Sequence, residues 1–197
     1  MAVVPFIVAT SFAAGLNVYA TVVTLGLLGR AGWVELPGAL SSLTNWWVLA
    51  GCGVMLAIEF VADKIPVVDL VWNVVQTAVR VPAAAVMAYA AATPLSPNEQ
   101  LLAGLAGALI AFAAHGGKIA MRTAVSASPE PVTNIVLSFT EDVFAIGLTW
   151  FATRHPYLAA TLAISALVVI VFAVRWVVRM IARRFRRQAT VEILAKS

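Results

Sequence analysis

Ionisable side chains are scarce in this sequence, and those present recur at helical spacing. Glu59, Asp63, Lys64 and Asp69 directly follow an apolar run long enough to cross most of a bilayer. Asp69, Asn73, Gln76 and Arg80 then recur at intervals of four, three and four, which puts them on one face of a helix. His115, Lys118, Arg122 and Ser126 share a face in the same way, as do Asn134, Ser138 and Glu141, with Asp142 alongside. Carboxylates in such a setting carry protons or bind cations, whereas Arg and Lys bind anionic groups such as phosphate. Asn17, in Gly15-Leu-Asn17-Val-Tyr19, is the most polar group of an earlier apolar stretch. The candidate binding residues are therefore Asn17, Glu59, Asp63, Asp69, Asn73, Arg80, His115, Lys118, Arg122, Asn134, Ser138, Glu141 and Asp142, with His115 the pH-sensitive member.

The chain around them is oily. Of its 197 residues 62% are hydrophobic and 11% charged, and the mean hydropathy is +0.95. Charged groups in a sequence of this kind are expensive unless they face a protein interior, a wet cavity or the interface. The composition excludes an ordinary water-soluble domain, and the lack of ten-residue alternation excludes a transmembrane barrel. The expected fold is an all-α polytopic membrane protein of about six segments: Pro5–Leu28, Asn45–Ala62, a stretch after Pro66 interrupted at Pro82, Leu101–Ala114 continuing past Gly116-Gly117, Val132–Ala152 and Leu158–Val178. Pro82 and the short apolar runs point to broken or re-entrant helices, and Gly15 with Asn17 marks a local break. Trp33, Trp46 and Trp47 suit an interfacial aromatic belt.

The thirteen Lys and Arg are unevenly spread, seven of them from Arg175 onward. Residues 1–182 read as one transmembrane domain and 183–197 as a basic tail that meets anionic lipid on the cytoplasmic side of a bacterial inner membrane. Six crossings would put both termini on that side. Nucleic acid is not an expected partner; the bilayer is, along with a second copy or another membrane subunit. The lone Cys52 reads as a small packing residue.

Two weak echoes suggest an inverted three-plus-three repeat, the architecture in which transporters build sites from discontinuous helices. Ser11-Phe-Ala-Ala-Gly15 is echoed by Ala111-Phe-Ala-Ala-His115. Leu43-Thr-Asn45 is echoed by Val132-Thr-Asn134, each followed by a proline, Pro66 and Pro156.

Excluded classes narrow the function. No Walker, dinucleotide or haem motif is present, and no ligand spacing indicates a metal. No cofactor is expected. Ser126 or Ser138 with His115 and Asp142 lack any nucleophile motif, so catalysis is the weaker reading. The leading expectation is a small transporter or channel-like permease for an ion or small charged solute. The alternatives are an assembly subunit, in which Lys118 and Arg122 merely neutralise Glu141 and Asp142 and Lys64 neutralises Glu59, and a flippase or enzyme that handles a lipid headgroup.

The sequence also resembles the bacterial membrane-protein family catalogued as domain of unknown function 4126. The matching stretches are Gly15-Leu-Asn17-Val-Tyr19, Glu59-Phe-Val-Ala-Asp63-Lys64-Ile-Pro66-Val-Val-Asp69-Leu-Val-Trp72, His115-Gly116-Gly-Lys118 with Arg122, Ser128-Pro129-Glu-Pro131 with Asn134, and Glu141-Asp142. They cover nearly the whole chain except the arginine tail. The resemblance implies a membrane fold and supplies neither a substrate nor catalytic residues.

Overall fold

A computed structural model describes residues 2–63, 65–126 and 131–196, and all regular structure among them is helical. The order is α1 (Val3–Leu16), α2 (Val18–Arg30), a 3-10 turn (Gly38–Thr44), α3 (Trp46–Ala62), α4 (Pro66–Ala91), α5 (Pro97–Ser126), α6 (Pro131–Arg154) and α7 (Pro156–Lys196). Four helical stretches are long and apolar enough to cross a membrane: Val71–Ala91, Pro97–Arg122, Ile135–Arg154 and Pro156–Trp176. The 3-10 turn and α3 form a further broken span, bent by 71°. With α1 and α2, apolar helices of 14 and 13 residues, this agrees with about six segments.

The first segment is not one helix. The backbone at Asn17 is extended (φ −152°, ψ 103°), and the residue ends α1 and begins α2. Its side-chain oxygen accepts the Ala20 N–H at 2.9 Å, so it acts as the N-cap of α2. α1 is the centre of the molecule. Ten of its fourteen residues are buried, among them Phe6, Phe12 and an Ala13-Ala14-Gly15 run. A helix apolar on all sides is one enclosed by other helices, and α1 touches α2, α4, α5, α6 and α7.

Close approach at the centre depends on small residues. A Cβ on Gly15 would sit 2.6 Å from the Ala111 carbonyl oxygen and 2.8 Å from Ala114 Cβ. One on Gly107 would meet Ala88 Cβ at 2.5 Å and Ser11 Oγ at 3.0 Å. The two echoing motifs thus face each other across the α1–α5 crossing, where small side chains let the backbones touch. Gly15→Ala should lower stability by about 1–3 kcal/mol through overpacking against backbone that cannot yield. Gly147, whose added Cβ would meet nothing within 4 Å, is the control. Gly147→Ala should be neutral or stabilising by up to about 1 kcal/mol from helix propensity. Thermal unfolding of the two purified variants checks the contrast, and equal melting points would refute the packing argument.

One expectation is corrected. Pro82 does not interrupt its helix: α4 runs continuously through it for 26 residues. Neighbouring helices can re-satisfy the carbonyl freed by a membrane proline, and α5 lies along α4 over its length. At Gly116-Gly117, a pair that allows either a bend or close packing, α5 continues as a single helix of 30 residues. Gly117 packs closely against Ile170 of α7, whose Cγ2 would lie 2.4 Å from an added Cβ.

Helix ends follow local rules. Asn45 caps α3 by accepting the Trp47 N–H at 2.8 Å. At the start of α5, the Glu99 carboxylate accepts from the Ser96 N–H (2.9 Å) and hydroxyl (2.7 Å). The 3-10 turn opens at Gly38, which has φ +53°, and a side chain there would collide with Thr93. Trp33, Trp46 and Trp47 are exposed, and the Arg30 guanidinium lies 4.0 Å over the Trp46 ring.

Candidate functional site

Each of α3, α4, α5 and α6 turns one stripe inward, and each stripe is polar over one half and apolar over the other. In α3 the inward stripe is Leu49, Cys52 and Leu56, then Glu59 and Asp63. In α4 it is Asn73, Gln76 and Arg80, then Ala84, Ala88 and Ala91. In α5 it begins with Gly107, Ala111 and Ala114 and ends with His115, Lys118 and Arg122. In α6 it begins with Ser138, Glu141 and Asp142 and continues with Ala145, Leu148 and Ala152. Successive helices run in opposite directions, so the polar halves meet in a single layer. α7 contributes no buried polar side chain among its described residues.

The break between α1 and α2 lies in this layer. The carbonyl oxygens of Gly15 and Leu16, orphaned where α1 stops, accept from Arg80 Nη1 at 3.2 and 2.6 Å. Lys118 Nζ reaches the Leu16 carbonyl at 3.5 Å. Two cations thus stand at the negative end of one half-helix. On the other side of the break, Asn17 Nδ2 donates to Asp142 Oδ1 at 2.8 Å, which places a carboxylate beside the positive start of α2. Phe12 and Phe144 meet edge to face at 6.3 Å and hold α6 against α1 one turn away.

Around the break the charges interlock. Arg80 Nη2 pairs with Glu59 Oε1, both side chains being fully buried. Lys118 Nζ lies 3.2 Å from Glu141 Oε2, 3.3 Å from Asp63 Oδ2 and 3.6 Å from Glu59 Oε1. Arg122 Nη2 bonds Asp63 Oδ2 and Glu141 Oε2, each at 2.7 Å. Ser138 Oγ donates to Asp63 Oδ2 at 3.2 Å. Three carboxylates from two helices therefore converge on two cations of a third. His115 Nδ1 faces Arg80 Nη1 at 3.0 Å, and its Nε2 faces the Asn73 carbonyl at 3.0 Å. Since the guanidinium can only donate, Nδ1 accepts and Nε2 carries the proton, which specifies the neutral ring.

Eleven of the thirteen candidate residues are described with their side chains. All eleven lie in this layer, each no more than 8% exposed. The side chains of Asp69 and Asn134 lie outside the described residues, as do Lys64, Ser126 and the tail arginines from Arg183 onward. The expected pairing needs correcting in two respects. Arg122 and Lys118 engage Asp63 as well as Glu141, and Glu59 is held by Arg80 and Lys118. Asp142 has no cation within ion-pair distance among the described residues; its partner is Asn17.

Four participants escaped sequence reasoning. Tyr19 accepts at its hydroxyl from Gln76 Nε2 at 3.2 Å; Gln76 stood on the polar stripe but was not assigned to the site. The carbonyls of Gly15 and Leu16 left no signal except the neighbouring Gly15 and Asn17. Among the described residues, no three His, Cys, Asp or Glu side chains are grouped to hold a metal ion.

A membrane-sized helical bundle whose central helix is broken at a buried, charged layer defines this protein's class: a polytopic integral membrane protein with a discontinuous helix at its core. The model of the family described as Domain of unknown function (DUF4126) matches residues 4–176, and the chain belongs to that family. No curated protein and no solved structure matches it.

Proposed function

We propose that the protein is a small permease that carries an ion or small charged solute through the charged layer. The observation that carries the reading is the break at Asn17. A helix interrupted inside a bilayer leaves backbone groups that lipid cannot satisfy, so such breaks occur where they line a site. Here the two half-helix ends face charges of the appropriate sign. Replacing buried ion pairs with apolar residues is often neutral or stabilising, so a fold alone has little need of so many.

The arginines at the end of α7, of which Arg175 and Arg179 are exposed, suit anionic headgroups on the cytoplasmic side of a bacterial inner membrane. A rival reading, in which the charges only join helices of an assembly subunit, draws on the closed pairing of Lys118 and Arg122. The lipid-headgroup reading is weaker, because the charges are buried rather than set in a groove open to the bilayer.

The test is a set of currents recorded on a solid-supported membrane coated with proteoliposomes. Concentration steps of H⁺, Na⁺, K⁺, chloride and phosphate are applied in turn. At least one should give charge movement above protein-free liposomes. Silence across the panel, from protein shown to be folded and inserted, would overturn the proposal.

A further inference from the structure

The charge and hydrogen-bonding balance of the buried layer decides the sign of what it takes. Its described members include four carboxylates, Glu59, Asp63, Glu141 and Asp142, and three basic groups, Arg80, Lys118 and Arg122. His115 sits as a neutral ring between a guanidinium and a carbonyl. Among the described side chains the acids outnumber the basic groups by one, and geometry singles out Asp142. Glu59, Asp63 and Glu141 each have a cation within 3.6 Å, whereas among the described residues Asp142 has only the amide of Asn17.

The spare hydrogen-bonding capacity has the same bias. Glu59 Oε2, Asp63 Oδ1, Glu141 Oε1 and Gln76 Oε1 are buried acceptors without a partner. Their side chains are at least nine-tenths buried and belong to the residues that surround Lys118 and the helix break. The partnerless donors on the same helices, Arg80 Nε and Trp72 Nε1, are fewer. Buried acceptors of this kind call for a donor or a positive charge. An anion would add to the surplus negative charge and would find the Lys118 ammonium and the Arg80 Nη atoms already engaged.

We propose that the layer binds a monovalent cation, the proton included, and that Asp142 is the group whose charge it neutralises. Among the described side chains the acids exceed the basic groups by a single charge, which matches a monovalent occupant. The ionisable groups that act on Asp142 are Lys118 from α5, Arg80 from α4, Asp63 from the end of α3 and Glu141 beside it on α6, none of the cations within ion-pair distance. The carboxylates among these are tied to cations, which leaves Asp142 as the acid able to exchange its partner. This inference rests on the permease reading for its purpose, but binding can be read without any flux.

The experiment is thermal unfolding of the purified protein in lipid nanodiscs, wild type beside Asp142→Asn. Lithium, sodium and potassium chloride are titrated against choline chloride at constant ionic strength. Choline phosphate and sulfate are titrated likewise, and a pH series is run in choline alone. If an alkali cation is the occupant, one of the three should raise the wild-type melting point saturably, by several degrees at a hundredfold excess over its Kd. The rise should vanish in Asp142→Asn.

If the proton is the occupant, alkali cations should be inert. A folded state that takes up a proton the unfolded chain does not hold gains stability as pH falls. The wild type should show that gain and Asp142→Asn should not. A wild-type melting point indifferent to alkali cations and to pH, or raised by phosphate or sulfate, would overturn the inference. Cation-dependent melting without current in any liposome would remove transport and keep the binding site. Phosphate-dependent melting with phosphate-driven current would do the reverse.

Discussion

Arg80→Ala should be the most destabilising single substitution in the layer. Arg80 is fully buried and joins three elements at once: Glu59 of α3, the last carbonyls of α1, and His115 of α5. Removing it strands the Glu59 carboxylate, whose remaining cation, Lys118, is 3.6 Å away and shared with two other acids. Breaking a fully buried pair from one side typically costs about 3–5 kcal/mol, because the charge left behind is uncompensated. For a chain of this size that corresponds to a loss on the order of 10 °C in melting point. The double variant Arg80→Leu with Glu59→Leu removes both charges and should recover most of the loss, as apolar replacement of a buried pair generally does. Recovery should stay incomplete, since the Gly15 and Leu16 carbonyls still lose their donor. Melting points of the single and double variants in nanodiscs check this. A single variant as stable as wild type would mean that the pair contributes nothing to holding α3 against the bundle.

Asp142→Asn should have the opposite profile: a folded protein and no flux. An asparagine at this position keeps the shape and can still accept from Asn17 Nδ2 through its amide oxygen, so the junction of α1, α2 and α6 survives. What is lost is the charge that no described cation balances. The melting point in choline buffer should stay within a few degrees of wild type, while currents from proteoliposomes fall to the protein-free level. The two measurements together separate the readings. Normal currents from the variant would show that its carboxylate takes no part in permeation. A variant that fails to fold would assign Asp142 to structure and favour the assembly-subunit reading. Glu141→Gln, one position earlier, is a useful contrast. It disturbs the Lys118 and Arg122 network directly and should lower stability as well as flux.

The sequence by itself determined most of the charged side chains that the structure brings into the layer. Helical spacing put Asn73, Gln76 and Arg80 on one face, His115, Lys118 and Arg122 on another, and Ser138 with Glu141 on a third. Those faces point inward because a charged stripe cannot face lipid. The break at Asn17 was legible too, because a side chain able to cap a helix stands two residues beyond a glycine, within an apolar run. Membrane character followed from hydropathy alone.

Only the tertiary structure decided the partners. The bonds joining Asn17 to Asp142, Glu59 to Arg80 and Asp63 to Arg122 span 125, 21 and 59 residues. Spacing within one helix says which side chains share a face but not the depth at which that face meets another. Depth is set by how closely neighbouring backbones approach, here through Gly15 on Ala111 and Gly107 on Ala88. The helix α4 likewise continues through Pro82, where local propensity argued for a break. The carbonyls of Gly15 and Leu16, freed where α1 ends, carry no side-chain signature at all. They belong to the site because a helix ends there and a guanidinium sixty-odd residues away in the chain fills the gap.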